Sequence, residues 1–241
     1  MTFKEKLRQS AEKHGSKVIL ALDFSDPYDA RLAKAEKVLD ATKGEIAGVK
    51  VNHHLILPYG LTGLSTVIGI CRAERLPLIA DLKMNDIEAT NINIVDSLTA
   101  YGFDAVIANP FVGREEGLGK AVERIHANQG GIIFLVYMSH KGADEGYHLR
   151  LENGEPIYRV FATRAREWGA DGVIVSAKAT NKIAEIRGIV GDSCLILTPG
   201  VGAQGGEASD SLGAGADYVI VGRSLTGSSD PLTAVRALYS S

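Results

Sequence analysis

The sequence has little cysteine, no long apolar run and no cluster of basic residues. Its two cysteines, Cys71 and Cys194, lie far apart and match no metal-binding or redox spacing. No segment holds about 18 consecutive apolar residues, and the charged N-terminus lacks the apolar core of a signal peptide. We therefore expect neither a disulfide framework nor a membrane span, and we predict a cytoplasmic protein with reduced cysteines.

Charge and composition narrow the class of protein further. The net charge is −3 with a pI near 6.1, and the lysines and arginines are scattered, which argues against nucleic acid as a partner. A small anionic ligand stays compatible, because a local basic site does not need a basic protein. Hydrophobic residues make up 45% of the 241 residues and charged residues 23%, as is typical of a globular protein with a sizeable core.

The dominant pattern is a buried strand followed by a helix, repeated eight times without a linker-like break. The strands are predicted at 17–23, 47–52, 77–83, 104–110, 131–138, 171–176, 194–199 and 217–222. Eight such units predict a single α/β domain over residues 1–241, a (β/α)₈ TIM barrel preceded by a short N-terminal helix. An open doubly wound sheet alternates in the same way, so periodicity alone leaves that alternative open.

The helices are predicted from the segments between the strands. The opening helix ends near His14, the second begins at Asp26-Pro27, and another runs over 86–101. A helix is also expected through Glu115 to Ala127, and one over 158–168. The polar stretch that ends near Pro156 is longer than most connections and predicts a surface excursion.

One stretch joins the end of a strand to opposite charges. Residues 78–91 pass from apolar residues into Asp81-x-Lys83-x-x-Asp86. Side chains two apart on a strand share a face, so Asp81 and Lys83 are expected to project together, with Asp86 at the next helix start. An ordinary charge pair followed by a helix cap would look the same. The position of the motif within the strand–helix repeat favours a chemical role.

Polar residues end several other predicted strands. In a parallel barrel the carboxyl ends of the strands meet at one mouth, where catalytic groups belong. One anionic substrate would account for all of these residues together, whereas a structural explanation must treat each separately. They are Asp23, Lys50, Asp81, Lys83, Ser139, Gln204 and Arg223.

Two glycine-containing segments predict a phosphate site. Residues 198–206 follow the seventh strand, and Gly222-Arg223 ends the eighth. Glycines let backbone N–H groups approach an anion closely. The loops after these two strands are the frequent phosphate site of such barrels, and the Arg223 guanidinium suits phosphate oxygens. Gly205 and Gly206 would also let the loop close over a ligand.

Taken together, these segments resemble the orotidine 5′-phosphate decarboxylase family, especially its compact, archaeal-type members. The resemblance covers almost the whole chain, and it implies removal of carbon dioxide from orotidine monophosphate to give uridine monophosphate. That reaction, the last step of pyrimidine nucleotide synthesis, is implied to need no cofactor and no metal. The motifs are Leu20-Ala-Leu-Asp23, Asp81-x-Lys83-x-x-Asp86-Ile87-x-x-Thr90-Asn91, Met138-Ser139-His140-x-Gly142, Pro199-Gly-Val-Gly-Ala-Gln204-Gly-Gly and Val221-Gly222-Arg223-Ser224.

The resemblance also implies a role for each matched residue. Lys83 would protonate the ring carbon, Asp81 would lie against the departing carboxylate, and Lys50 and Asp86 would hold the charged array. The sites would lie at a homodimer interface, with Asp86, Ile87 and Thr90 entering the partner's site. The remaining substrate-binding residues would be Asp23 and Thr90 at the ribose, Ser139 at the pyrimidine, Gln204 between base and phosphate, and Pro199, Gly222 and Arg223 around the phosphate.

Two local departures from the family pattern stand out. The segment Asn52-His53-His54 replaces a turn containing glycine and proline, and Lys141 stands where many relatives have proline. These changes leave every charged family position filled. The adjacent histidines do not predict a metal site, because neighbours on a helix or strand diverge and neither has a partner at ligand spacing.

Two other functions are weighed against this one. Related sugar-phosphate decarboxylases and hexulose-phosphate synthases share D-x-K-x-x-D, but they use metal and generally carry an acid where this chain has Lys50. A non-catalytic phosphate-binding barrel is expected to have lost Lys83 or an aspartate, and neither is lost. Lys50, Met138-Ser139-His140 and Ala203-Gln204 favour the nucleotide enzyme.

Overall fold

A closed parallel barrel forms the centre of the molecule in the computed structural model, which describes residues 1–202 and 206–238. Each strand pairs in parallel with the next along the chain, and the last pairs with the first. The predicted barrel is confirmed, and the open doubly wound sheet is wrong. The strands are β1 (Val18–Ala21), β2 (Gly48–Asn52), β3 (Leu78–Met84), β4 (Ala105–Ala108), β5 (Gly131–Tyr137), β6 (Gly172–Val175), β7 (Leu195–Pro199) and β8 (Tyr218–Val221).

Helices surround the barrel, and one precedes it. In the N-terminal helix, Thr2 and Glu5 form reciprocal capping hydrogen bonds, and Gly15 ends the helix with a positive φ of 58°. The predicted N-terminal helix is therefore confirmed. The helices are α1 (Phe3–His14), α2 (Tyr28–Thr42), α3 (His53–Gly63), α4 (Ser65–Glu74), α5 (Glu88–Tyr101), α6 (Gly119–Ala127), α7 (Ile157–Trp168), α8 (Thr180–Val190), α9 (Ala208–Gly213), α10 (Arg223–Thr226) and α11 (Pro231–Ala237).

The helix after β4 begins later than the sequence predicts. Helix α6 starts at Gly119, whereas Glu115 has extended dihedral angles and Glu116 has a φ of 51°, so both lie outside the regular helix. The carbonyl of Gly117 accepts a hydrogen bond from the side-chain amide of Asn91 at 3.1 Å. This contact with α5 holds the segment in an irregular turn, and it cannot be read from local periodicity.

The excursion after β5 folds against the barrel. It contains a short 3₁₀ turn, Lys141–Glu145, and a bridge between Arg150 and Pro156. The Tyr137 hydroxyl at the end of β5 lies 3.0 Å from Nε2 of His148. The aromatic rings of Tyr137 and Tyr147 pack edge to face, with centroids 5.9 Å apart. These contacts attach the excursion to the strand that leads to Ser139.

The core has two layers, one inside the barrel and one between the barrel and its helices. The interior is filled by inward-facing aliphatic residues of the strands, such as Ile19, Ile79 and Ile133, all fully buried. Phe3 of α1 belongs to the same cluster and closes the end of the barrel where the strands begin. A Cβ on Gly131 would lie 2.5 Å from the Phe3 ring, so this closure requires glycine there.

Within the described residues, no single helix is long and apolar enough to cross a membrane. Helices α3 and α4 reach the required length and apolar content only when taken together, and they are bent by 89°. Leu55 of α3 and Val67 of α4 belong to the core layer outside the barrel.

The ion pair between His126 and Asp171 predicts a pH-dependent contribution to stability. His126 Nε2 lies 2.9 Å from Asp171 Oδ2, and this bond raises the pKa of the histidine above its ordinary 6.5. A histidine with a raised folded-state pKa stabilises the fold fully below the unfolded pKa, and the contribution is lost as the pH rises through the folded value. We expect His126→Gln to lower the melting temperature more at pH 5.5 than at pH 8.5. If the substitution lowers the melting temperature equally at the two pH values, the protonated His126–Asp171 ion pair does not stabilise the fold.

Candidate active site

The pairing of the strands brings the predicted charges to one mouth of the barrel. In the register of β1 with β2, Ala21 lies opposite Lys50, and in that of β2 with β3, Asn52 lies opposite Asp81. Asp23 follows β1 by two residues, so it reaches the same end. The structure therefore gathers Asp23, Lys50, Asp81 and Lys83 at the carboxyl ends of three neighbouring strands.

These four side chains form a continuous row of alternating charge. Lys50 Nζ lies 2.7 Å from Asp81 Oδ2 and 3.3 Å from Asp23 Oδ1. Lys83 Nζ lies 2.7 Å from the other Asp81 oxygen. The row is buried in the middle and open at Lys83, whose side chain is 42% exposed against 5% for Lys50. The accessible end of the row is thus an ammonium group.

The charges of the buried pair stabilise each other. Burial opposes ionisation of Asp81, but the ammonium groups of Lys50 and Lys83 outweigh it and hold the pKa of this carboxyl below its usual value. Burial likewise opposes the charged form of Lys50, and the carboxylates of Asp81 and Asp23 outweigh it and raise its pKa. Both groups are therefore charged at neutral pH.

The backbone of Lys83 departs from the regular strand. Its φ is 50°, a left-handed value that is rare for a residue with a Cβ, and the register between β3 and β4 shifts between Ala80 and Met84. Asp81 and Lys83 meet within β3, as the sequence predicts, although the strand is irregular at Lys83. Strained conformations of this kind cluster at functional sites, where the surrounding structure holds them.

The segment that carries Asp86, Ile87 and Thr90 lies outside the charged row. All three residues are exposed, Ile87 to 64%. The helix begins at Glu88 rather than at Asp86, whose Oδ1 accepts a hydrogen bond from the Ile87 N–H at 2.7 Å. Asp86 forms no ion pair within residues 1–202 and 206–238. The structure of one chain therefore does not join these residues to Lys83.

Asn52, which the sequence marks only as a departure from the family pattern, contacts the charged row. Its side-chain amide donates to Asp23 Oδ1 at 2.8 Å, the oxygen that Lys50 also contacts. The side-chain oxygen of Asn52, Oδ1, accepts the His54 N–H at 2.8 Å and caps α3. His54 in turn accepts the Phe24 N–H through Nδ1 at 3.0 Å. The unusual segment thus holds the loop that carries Asp23, and the polar cap preceding α3 is the signal that could have identified it.

Ser139 contacts a second serine that sequence reasoning missed. The Ser139 and Ser176 hydroxyls lie 2.5 Å apart, after β5 and β6 respectively. Ser176 is 5% exposed, so its hydroxyl contacts Ser139 from the protein interior rather than facing solvent. The only sequence signal for Ser176 is its position directly after a buried strand.

The predicted anion loops lie beside each other. Pro199 ends β7, and a Cβ on Gly202, whose φ is 72°, would lie 2.4 Å from the Ser224 hydroxyl. A Cβ on Gly222 would lie 3.2 Å from Asp23 Oδ2, so the loop after β8 also approaches the charged row. The positive φ of Gly202 favours glycine there, whereas a Cβ on Gly222 would only press against the Asp23 carboxylate. Gln204 and Gly205 of the predicted loop lie outside the described residues.

A cavity of about 390 Å³ opens between the loops that follow β1 and β8. Its lining includes Asp23, Lys34, Arg223 and Thr226. Thr226 donates a hydrogen bond to the Asp23 carbonyl at 2.9 Å, and Lys34 pairs with Asp26 at 2.9 Å. The cavity therefore places the Arg223 guanidinium near the Asp23 carboxylate at one end of the row, so it combines a group that can bind an anion with a group that can accept a hydrogen bond.

In the described part of the chain, no three histidine, cysteine, aspartate or glutamate side chains lie together in a way that could hold a metal ion. His54 Nδ1 is already engaged with the Phe24 N–H. The positive charge that faces Asp23 and Asp81 comes instead from the lysine between them.

Comparison with known proteins identifies relatives over nearly the whole chain. A model of the orotidine 5′-phosphate decarboxylase / HUMPS family matches residues 16–238. The orotidine 5′-phosphate decarboxylase of Thermococcus kodakarensis is 40% identical over 224 residues, which cover 93% of this chain and 95% of that protein. The enzyme of the same name from Methanosarcina acetivorans is 39% identical, covering 92% of each.

Solved structures agree with the sequence comparison. The crystal structure of orotidine 5′-phosphate decarboxylase from Pyrococcus horikoshii has a TM-score of 0.75 at 36% identity, covering 92% of this chain and 97% of that one. The orotidine 5′-monophosphate decarboxylase of Methanocaldococcus jannaschii in complex with the inhibitor BMP has a TM-score of 0.77 at 30% identity, with 92% and 96% covered. On the family match, the sequence identity and the shared barrel, this chain belongs to the orotidine 5′-phosphate decarboxylase / HUMPS family.

Proposed function

We propose that this chain is a carboxy-lyase that converts orotidine 5′-monophosphate to uridine 5′-monophosphate, the last step of de novo pyrimidine nucleotide synthesis, without a metal or an organic cofactor. The observation that carries the proposal is the row Asp23, Lys50, Asp81 and Lys83, with an accessible ammonium at its end. Family membership and orotidine-phosphate decarboxylases of similar length support the same substrate. Residues 1–241 are proposed to act as one domain.

The chemistry requires a positive charge next to a carbon that becomes negative. When the bond to the carboxylate breaks, its electron pair stays on the ring carbon and carbon dioxide leaves. A fixed ammonium is worth more there than water, because it is already oriented before the reaction. Lys83 then gives a proton to that carbon, which forms the new C–H bond, and its amine regains a proton from water. Its contact with Asp81, at 2.7 Å, orients the ammonium.

Repulsion between Asp81 and the substrate carboxylate makes a smaller contribution. Two like charges at ~4 Å interact by about 4 kcal/mol at an effective dielectric of about 20. Enzymes commonly lower a barrier by roughly 8 to 23 kcal/mol. Stabilisation of the transition state by Lys83, together with binding energy from the phosphate, therefore supplies the larger share.

We propose a separate group of binding residues for each of the three parts of the nucleotide, the ribose, the pyrimidine and the phosphate. Asp23, with Thr90 of a partner chain, would bind the ribose hydroxyls, and Ser139, supported by Ser176, would bind the pyrimidine edge. Gly222 and Arg223 would hold the phosphate, because Arg223 lines the cavity next to Asp23 and Gly222 lies close to the Asp23 carboxylate. The proposal extends to Pro199 and Ile87 at the edges of the site and to Gln204 between base and phosphate.

A homodimer is part of the proposal. Asp86, Ile87 and Thr90 are exposed and stand apart from the charged row of their own chain, so they are free to enter the site of a second copy. An apolar residue as exposed as Ile87, at 64%, also suits an interface. A cytoplasmic location completes the proposal, since Cys71 and Cys194 are free and buried, as suits a reducing compartment.

Lys50 distinguishes the nucleotide enzyme from the sugar-phosphate branch of the family. An acid at this position would place three carboxylates together, and such a set of oxygen ligands suits Mg²⁺. In this chain an ammonium lies 2.7 Å from Asp81 and 3.3 Å from Asp23. The lysine supplies the positive charge that a divalent cation would supply in the sugar-phosphate enzymes.

The decisive experiment follows the ultraviolet absorbance of orotidine monophosphate mixed with purified, chelator-treated protein. Metal-independent conversion to uridine monophosphate is expected. Tight binding without conversion would indicate a non-catalytic binding barrel. Neither binding nor conversion, with turnover of a sugar phosphate after Mg²⁺ is added, would assign the chain to the other branch of the family.

Replacing Arg223 should weaken phosphate binding and catalysis together. We expect Arg223→Ala to lower kcat/KM by at least about 100-fold, because charge-assisted bonds from a guanidinium to phosphate contribute about 1.5–3 kcal/mol each. Arg124→Ala, which removes an exposed arginine of α6, is the matched control and should leave the kinetics unchanged. Unchanged kinetics of Arg223→Ala would remove this residue from the site.

Mixed dimers test whether Asp86 acts in the partner's site. Lys83→Ala and Asp86→Asn should each be nearly inactive alone. In a mixed dimer, the site with the intact Lys83 would receive the intact Asp86 from the other chain. Mixing equal amounts under exchange conditions should therefore restore about a quarter of wild-type activity, since half of the dimers are mixed and each has one complete site. Failure to restore activity despite measured subunit exchange would contradict the shared site.

A further inference from the structure

A second cavity lies at the other end of the barrel from the charged row. Its volume is about 510 Å³, and it is bounded by α1, by α4 and by the segments that precede β3 and β4. Leu78, the first residue of β3, lines this cavity, whereas Asp81 and Lys83 lie near the opposite end of the same strand. We call it the basal cavity. Its size falls within the range of small-molecule sites.

The lining of the basal cavity is strongly cationic. Lys6, Lys13, Arg72 and Arg75 contribute four positive charges, against one carboxylate from Asp104, in a chain of net charge −3. Lys6 pairs with Asp104 at 2.7 Å, and Lys13 contacts the Glu74 carbonyl at 3.0 Å and the Glu74 carboxylate at 3.9 Å. The guanidinium groups of Arg72 and Arg75 form no ion pair within the described residues. These two guanidinium groups can therefore bind an anion in the cavity.

A buried hydroxyl in the same cavity also lacks a partner. Ser10 of α1 lines the cavity and is 4% exposed. Its Oγ has no hydrogen-bond partner among the described residues. An unpaired polar group in the interior destabilises the fold, so buried polar groups usually have a partner. This observation is independent of the charges and points to a polar group that enters the cavity.

We propose that the basal cavity binds a small organic phosphate. Arg72 and Arg75 would hold the phosphate, because the planar guanidinium fork matches its oxygens. The apolar wall formed by Ile68, Leu76 and Pro77 would receive the organic body. The Ser10 hydroxyl would bond to a polar atom of that body. Such a site, with an apolar wall and few polar groups that fix orientation, is typical of ligand pockets.

Calorimetric titration with adenosine 5′-diphosphate tests the proposal. The protein is first saturated with uridine monophosphate, which occupies the mouth of the barrel if the proposed function holds. We expect binding with a Kd below about 1 mM, weakened at least about tenfold in the double variant Arg72→Ala/Arg75→Ala. The control, Arg124→Ala/Arg166→Ala, removes the same charge from two half-exposed arginines elsewhere and should bind like the wild type.

Several results would overturn the proposal. One is that adenosine 5′-diphosphate does not bind at millimolar concentration. Another is that both double variants lower its affinity equally. Binding unaffected by Arg72→Ala/Arg75→Ala would place the diphosphate elsewhere, including the mouth if uridine monophosphate fails to fill it. Pyrophosphate binding as tightly as the nucleotide would reject a contact with an organic body.

Ser10→Ala separates ligand binding from a structural role. Removal of an unpartnered hydroxyl should leave the melting temperature of the free protein unchanged or raise it, because a buried unpaired group is lost. The affinity for adenosine 5′-diphosphate should fall severalfold. Unchanged affinity in Ser10→Ala would contradict the proposed contact.

Discussion

Lys83→Ala should lower turnover of orotidine monophosphate by at least about 10⁴-fold while binding of uridine monophosphate stays within about tenfold of wild type. The variant loses both the proton donor and the charge that stabilises the ring carbon, and each effect is commonly worth about 10²-fold or more. The phosphate and ribose contacts come from other loops, so binding survives. Absorbance assays measure the first quantity, and calorimetry measures the second.

The fold should tolerate this change. Lys83 is half-exposed, and Asp81 keeps its 2.7 Å contact with Lys50 when the Lys83 ammonium is removed. We therefore expect only a small change in melting temperature. A folded variant with near-normal turnover would show that another group donates the proton. Loss of both binding and turnover would instead mean that Lys83 shapes the site rather than acting in the chemistry.

Lys50→Met should be the most destabilising single change in the charged row. Lys50 is 4% exposed and contacts two carboxylates. Removing the Lys50 ammonium leaves the buried Asp81 carboxylate with Lys83 as its remaining ion-pair partner. Breaking a buried ion pair in this way typically costs about 3–5 kcal/mol. We expect the free energy of unfolding to fall by roughly that amount in denaturant titrations, together with a large loss of turnover.

Lys120→Met provides the matched control. Lys120 pairs with Glu88 at 2.8 Å, close to the Lys50–Asp81 distance, but its side chain is 66% exposed. Because water screens exposed pairs, little change in stability is expected. Equal destabilisation by both substitutions would contradict the account of the row as a buried array.

The pH range of this stabilisation follows from the directions of the pKa shifts. The pKa of Asp81 is lowered, so its contribution is present above the unfolded carboxyl value of about 4 and is lost as the pH falls through the folded value. The pKa of Lys50 is raised, so its contribution is present below about 10.4 and is lost as the pH rises through the folded value. The pair therefore stabilises the fold across the neutral range.

The barrel and the location of its site follow from local sequence because both depend on repetition. Each apolar run ends in a polar residue, and in parallel strands those ends meet by necessity. The sequence alone thus predicts that Asp23, Lys50 and Asp81 lie at one mouth of the barrel. Only the start of the predicted helix 115–127 is wrong, and there the chain forms an irregular turn that is bonded to the distant Asn91 through the Gly117 carbonyl.

The contacts that tune the site could not be predicted in the same way. The left-handed φ of Lys83 coincides with the register shift between β3 and β4, and periodicity encodes neither. Asn52 and Ser176 act through neighbours 29 and 37 residues away in sequence. The sequence shows that Asn52-His53-His54 departs from the family motif, but only its hydrogen bonds to the Asp23 loop show what the segment does.

Chemical rescue of Lys83→Cys tests most directly whether the ammonium of residue 83 carries the reaction. Alkylation with 2-bromoethylamine rebuilds a lysine-like ammonium, and 1-bromopropane gives a neutral side chain of equal length. The native cysteines are buried, and burial raises the pKa of the Cys71 thiol to about 12 and also raises that of Cys194, so both react poorly. We predict an inactive variant that regains at least about 100-fold activity with the amine reagent and none with the neutral one. Equal recovery with both reagents, or none with the amine in a folded, fully alkylated protein, would contradict the account.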